Sequence, residues 1–246
     1  MIISTSARAK TQAALANQRV ALLGAEDFGL DEIDLSTLDK LQTEWGLMGH
    51  DPYYAAGGQR TRCFSTFSYH PDSGRIDRRP HKAYFQSVEK NPYAGGINRN
   101  FSQVSDATLN NPVFQALVQS DFEWFDIPAK WKEATWTCHV HMIRISVFGS
   151  DTADITPEGI HSDGYPFACL HLITRHQAAG TESFVYDQAG SVILQGTLSF
   201  PLDTVVFHDR DLLHYTSPMV AVGARAHRDV LAVSFSLSDS PYEMSP

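Results

Sequence analysis

The 246-residue sequence predicts a mainly β protein: a C-terminal double-sheet barrel backed by an N-terminal layer of helices. Two observations carry this. From Trp136 onward the chain breaks into short β-rich segments at 136–148, 166–174, 182–187, 191–199, 203–208 and 228–237, separated by Gly, Asp or Pro, which is the spacing of a sandwich or barrel. Before residue 125 the texture is different, with helix-like stretches at 7–23, 36–47 and 105–124. No repeat, low-complexity tract or linker divides the two parts. The expectation is one domain over residues 1–246, helical over about 1–58 and barrel over about 60–237.

Taken in order, Ser36 is placed to cap the second helix, with Asp39 standing where a capping box has Glu. Gly49 to Gly58 is turn-rich. Residues 60–69 alternate as a strand whose Cys63, Ser65, Phe67 and Tyr69 share one face. Asp72-Ser-Gly marks a turn, and 75–100 is irregular. Pro112 suits the first turn of the helix that follows. Disorder is expected only in a short N-terminal arm and over Asp239–Pro246.

A formal charge of -9 argues against a nucleic-acid partner, which calls for a basic face. Arg75, Arg78, Arg79 and Lys82 make the one basic cluster, in an expected loop. Cys63, Cys138 and Cys169 are odd in number and widely spaced, pointing to reduced thiols and a cytoplasmic setting. Neither a signal peptide nor an 18-residue apolar run is read, so no membrane partner is expected. A homo-oligomer stays open.

The chemistry concentrates in two segments. In PEGIHSDG, His161 and Asp163 stand two apart, so an extended backbone turns both to one side. In DLLHYTSPM, His214 follows Asp163 by 51 residues, a gap that suits several barrel strands before a return to the same mouth. Two histidines and a carboxylate on one face match the iron(II) oxygenase pattern, because three protein ligands leave positions free for a bidentate keto acid and dioxygen. Spacing alone does not separate this from a loop hydrogen bond plus a core histidine. Arg228, 14 residues past His214, opens the strand RDVLAVSF and could grip a distal carboxylate with its two-pronged guanidinium. Arg225 is its local rival.

At these residues the sequence resembles the bacterial 2-oxoglutarate/iron(II) dioxygenase family of L-isoleucine 4-hydroxylase-like amino-acid hydroxylases. HKAYFQS, GGINRNF, PEGIHSDG, LHLITR, GTESFVYD, DLLHYTSPM and RDVLAVSF match in order. The resemblance implies a double-stranded β-helix, a jelly-roll or cupin-like barrel. It implies the cofactor Fe(II), the co-substrate 2-oxoglutarate, and O2. The metal ligands it carries over are His161, Asp163 and His214, with Arg228 as keto-acid anchor. The implied activity is hydroxylation of a free aliphatic L-amino acid resembling isoleucine, leucine or methionine, with release of succinate and CO2. One departure is Gly180-Thr181-Glu182, where the family has Gly-Gly-Glu.

A free amino acid needs a cation for its carboxylate and an anion for its ammonium. Arg144 is the first candidate for the carboxylate and Arg99 the second, the alternative for each being an arginine paired with an acid. Glu158 is a candidate for the ammonium, and Tyr165 and Phe167 could wall the pocket. Rival metal donors are the H-x-H of His139 and His141, which lacks the following acid of a cupin, and His208 as third ligand. Rival functions are the same chemistry on a peptide or carrier-bound amino acid, and a metal-binding sensor without turnover.

Overall fold

The computed structural model describes residues 5–28 and 32–244. Helix α1 (Thr5–Gln18) ends at Arg19, whose φ of 63° lies in the left-handed region, and the chain turns directly into strand β1 (Val20–Leu23). The expected helix over 7–23 is therefore too long. Val20–Leu23 finds a ladder partner in β10 (Thr204–Phe207), and that tertiary pairing decides the conformation of a short apolar run.

Helix α2 (Glu32–Thr43) begins before Ser36, which lies inside it and does not cap it. Burial of Leu38, Leu41 and then Trp45 holds this segment, as expected where packing outweighs local signals. Helix α4 (Pro112–Glu123), which follows the single turn α3 (Asp106–Leu109), starts as anticipated with Pro112 in its first turn. Asn111 caps it by accepting from the Val113 and Phe114 amides. Its amide also donates to the Thr37 carbonyl, tying α4 to α2.

The principal sheet has seven strands in the order β1-β10-β6-β13-β4-β2-β3. Its long members are β2 (Gln59–His70), β4 (Trp136–Phe148), β6 (Phe167–His176) and β13 (Arg225–Ser236), with β3 (Arg75–Arg78) at one edge. One face, including Cys63, Phe67, Val140, Met142, Leu231 and Phe235, packs against the helices in the largest core. Two three-stranded sheets cover the other face. One joins β8 (Glu182–Tyr186), β9 (Val192–Thr197) and β11 (Leu213–Thr216). The second joins β5 (Thr152–Ala153), β7 (Ala178–Gly180) and β12 (Met219–Ala221). Separate apolar clusters seal each against the principal sheet: Val185 with Leu172 and Val205, and Met219 with Ile145 and Ala226. This is the jelly-roll arrangement that the sequence predicts.

Over residues 239–244 the C-terminal tail departs from the expected disorder, because Tyr242 packs on Trp136 and the Leu237 amide bonds to its carbonyl; residues 245 and 246, and the expected N-terminal arm over 1–4, lie outside the described residues. Two residues of the basic cluster are paired with acids, Arg78 with Asp106 and Arg75 with Asp77. All three cysteines are buried and unbridged. Among the described residues no helix is long and apolar enough to cross a membrane.

Thr181, the departure noted above, has φ 58°, a region that a β-branched residue rarely adopts. Arg175 donates to its hydroxyl at 2.7 Å and to the Gly180 carbonyl, holding this corner between β7 and β8. The corner does not line the large cavity described next.

Candidate active site

Between the principal sheet and its covers lies a cavity enclosing about 1010 Å³ of space, mouth included. His161, Asp163 and His214 meet at its wall. One donor atom from each lies within 4.8 Å of the others, and among the described residues no other group of three such side chains could hold a metal. The two histidines are joined through the backbone: His161 N donates to His214 O at 3.1 Å, and His214 N to His161 O at 2.7 Å. His214 comes from β11, whereas Ser162–Gly164 has no ladder partner. The buried Asp209 carboxylate holds that stretch instead, accepting from the Asp163 and Tyr165 amides.

Each imidazole is oriented by its Nδ1. That of His161 bonds to the Gly159 carbonyl at 2.9 Å, and that of His214 lies 3.4 Å from Asp209 Oδ1. Both Nε2 atoms therefore face Asp163, at 3.8 and 3.9 Å from its two oxygens. This is the orientation that polar groups behind a metal-binding histidine impose. Burial works against the Asp163 charge, but the two histidines and the Gln86 amide hold its carboxyl below the ordinary range. Burial likewise opposes a charged His214, and Asp209 with Asp163 outweighs it, raising its pKa. Binding a cation at this nitrogen would require the neutral imidazole.

Gln86 was missed in the sequence. Its Nε2 donates to Asp163 Oδ1 at 2.7 Å, while its carbonyl accepts from Arg99 at 2.6 Å and Asn91 at 3.1 Å. Those two donors fix which way the amide faces. Arg99 thus acts on Asp163 through Gln86, and does not line the cavity.

Arg228 does line it. Its side chain is buried, its Nε has no partner, and burial followed by neighbouring Arg175 pushes its pKa down to about 10. Glu158 and Tyr165 also face the cavity, with Glu158 Oε1 3.4 Å from His161 Nε2. Two expectations need correction. Arg144 forks onto buried Asp229 at 2.6 and 2.7 Å, on the helix-facing side of the sheet, so its charge is already matched. Phe167 stacks on Phe125 in the helix-facing core, because alternation along β6 turns it away from the cavity.

The rival donors do not join the triad. His139 bonds to Ser236, His141 accepts from Arg62, and His208 lies edge-on to Phe125. Arg60 and Arg62 on β2 face the cavity and were not anticipated. Their signal was present: two arginines two apart on an expected strand, on the face opposite the apolar one.

Residues 42–234 match the 2OG-Fe dioxygenase family. The chain belongs to that family. It is a 2-oxoglutarate-dependent dioxygenase that uses iron(II), 2-oxoglutarate and dioxygen. The dioxygenase is 28% identical over 218 residues to L-isoleucine-4-hydroxylase of Bacillus thuringiensis, a match covering 87% of this chain and 89% of that one. It is 25% identical over 222 residues to 3(1)-hydroxy-L-isoleucine 4-dioxygenase of Pantoea ananatis, covering 87% of each. Its fold superposes on the crystal structure of IDO from Bacillus thuringiensis with a TM-score of 0.78, 22% identity and coverage of 97% and 99%. A bsmA homologue from Methylobium petroleophilum gives a TM-score of 0.77 at 25% identity, covering 93% of this chain and 92% of that one. The donor set fits the ion: two imidazole nitrogens and one carboxylate, all at one wall of the cavity.

Proposed function

We propose that the dioxygenase holds iron(II) on His161, Asp163 and His214, anchors the distal carboxylate of 2-oxoglutarate on Arg228, and hydroxylates a free aliphatic L-amino acid. The observation that carries this reading is one cavity shared by the donor triad, an arginine with no acidic partner among the described residues, and an aliphatic floor of Ile143, Ile145 and Val230. The bound metal and co-substrate supply the oxidising chemistry, with succinate and CO2 as co-products. This chain's residues bind, orient and exclude water. Arg228 offers a desolvated guanidinium that gains most from a two-pronged carboxylate partner. Glu158, at the cavity wall, is placed to meet a substrate ammonium. Both named relatives carry isoleucine in their names, which supports an aliphatic substrate. We also read the chain as one dioxygenase domain, supported by the helices sharing a single core with the principal sheet.

The test is to supply iron(II), 2-oxoglutarate and each free L-amino acid in turn, and to measure succinate and product mass. Aliphatic amino acids are expected to give products 16 mass units heavier, the mass of one added oxygen atom. His161→Ala is expected to abolish succinate formation and His208→Ala to retain it. Full activity in His161→Ala would overturn the metal assignment.

A further inference from the structure

Arg60 and Arg62 both project from β2 into the cavity, but they are not in the same condition. Arg60 is matched, its Nε 2.6 Å from buried Asp51. Arg62 is also buried, at 9% exposure, yet among the described residues no carboxylate lies within ion-pair reach of it. Its Nε and Nη2 both point at His141 Nδ1, at 3.3 and 2.9 Å. A guanidinium only donates, so Nδ1 is the acceptor and the His141 proton sits on Nε2. That Nε2 is buried with no partner and His141 lines the cavity. The result, among the described residues, is a cation without a counter-charge beside an N–H donor without an acceptor.

The strand register separates this pair from the proposed 2-oxoglutarate anchor. Across the sheet Arg62 pairs with Ile143 and then Val230, one rung along from the row Arg60, Ile145 and Arg228. Strand β4 intervenes, so the strands that carry Arg62 and Arg228 run roughly 10 Å apart, twice the spacing between neighbours, and the two residues are further offset along them. The floor between them is aliphatic. Rings hold Arg62 in place, with Tyr84 at 5.4 Å and Phe101 at 4.6 Å from its guanidinium carbon, and Phe64 stacks on His141. A buried guanidinium kept from water without a counter-charge is costly unless a ligand supplies one.

We infer that Arg62 and His141 form the seat for the α-carboxylate of the amino-acid substrate, so that the site selects a free carboxylate over an amide or peptide bond. This rests on the amino-acid reading above. It assigns to Arg62 the role first expected of Arg144 and Arg99.

The experiment measures equilibrium binding of L-isoleucine and L-isoleucinamide to the iron(II)- and 2-oxoglutarate-loaded protein without oxygen. The wild type is expected to prefer the acid by about ten-fold or more, the scale of a hydrogen-bonded charge. Arg62→Met is expected to lose most of that preference while its affinity for 2-oxoglutarate stays within about two-fold. Arg62→Lys, which keeps the charge but not the fork, should fall between them. Arg228→Met should do the reverse of Arg62→Met, weakening 2-oxoglutarate. A wild type that binds amide and acid equally overturns the assignment, as does an Arg62→Met or Arg62→Lys protein with undiminished preference. So does loss of 2-oxoglutarate binding in place of amino-acid binding. If the loaded wild type binds 2-oxoglutarate but no free amino acid, the amino-acid reading itself fails and this assignment with it.

Discussion

In the proposed metal site, Asp163 is positioned by residues that are not themselves metal donors. Its carboxylate is aimed by the Gln86 amide, and that amide is aimed by Arg99 and Asn91. Replacing Gln86 by Leu keeps the bulk but leaves Asp163 free to turn and strands the Arg99 guanidinium. Iron(II) affinity, measured by chelator competition, is expected to fall by about 10- to 100-fold, with overall stability much less affected. Gln119→Leu, at a part-buried turn contact to the Gly74 carbonyl remote from the triad, is the matched control and should leave affinity unchanged. At this scale the sequence was legible where two features coincided. The H-x-D step put two donors on one side, and His214 recurred within a matching segment. Gln86 carried no such mark, since its role exists only once the 81–100 segment folds across the barrel mouth. Arg144 misled for the opposite reason. Strand alternation says which residues share a face but not which face is wet, and Asp229 proved to be its neighbour across β13.

Among elements, the strands from Trp136 onward were read to within a few residues, because alternation and turn residues agree there. The short strands β5, β7, β11 and β12 were not, since two to four residues show no period. The start of α4 was legible because Pro112 follows a capping Asn. Asn111 has a double role, capping α4 and bonding to α2. Asn111→Ala is expected to cost about 1 kcal/mol of unfolding free energy by denaturant titration. The Michaelis constant for 2-oxoglutarate should not change, since α4 backs the sheet face away from the cavity.

For the whole molecule, pH acts through histidines kept neutral in the barrel. Burial, with nearby Arg79, pushes His139 down to about 3, and burial with Arg62 holds His141 well below its ordinary value. Above about pH 6.5 both are neutral whether the chain is folded or not, and they add no pH dependence. Below it the unfolded chain takes up protons that the folded chain refuses, so stability falls as pH drops from about 6.5 toward 3, by up to about 1.4 kcal/mol per pH unit for each histidine. His139→Gln is expected to flatten this fall, read as the slope of melting temperature against pH between 6.5 and 4.5. An unchanged slope would mean that His139 is protonated in the native state. The enclosing architecture that makes these histidines neutral was foreseeable from the pattern of strands; their depth in it was not.

The paired amide bonds between His161 and His214 have a consequence for how the ion arrives. Fifty-three positions of chain separate the two histidines, yet an isolated pair of amide bonds holds their backbones together without help from any metal. The rotational and loop-closing freedom that a flexible chelator surrenders on capture has here already been lost during folding. On the proposed assignment a cation would meet two nitrogens already held together and a carboxylate already beside them, so its capture would resemble docking into a finished socket more than the folding of a chain around a nucleus.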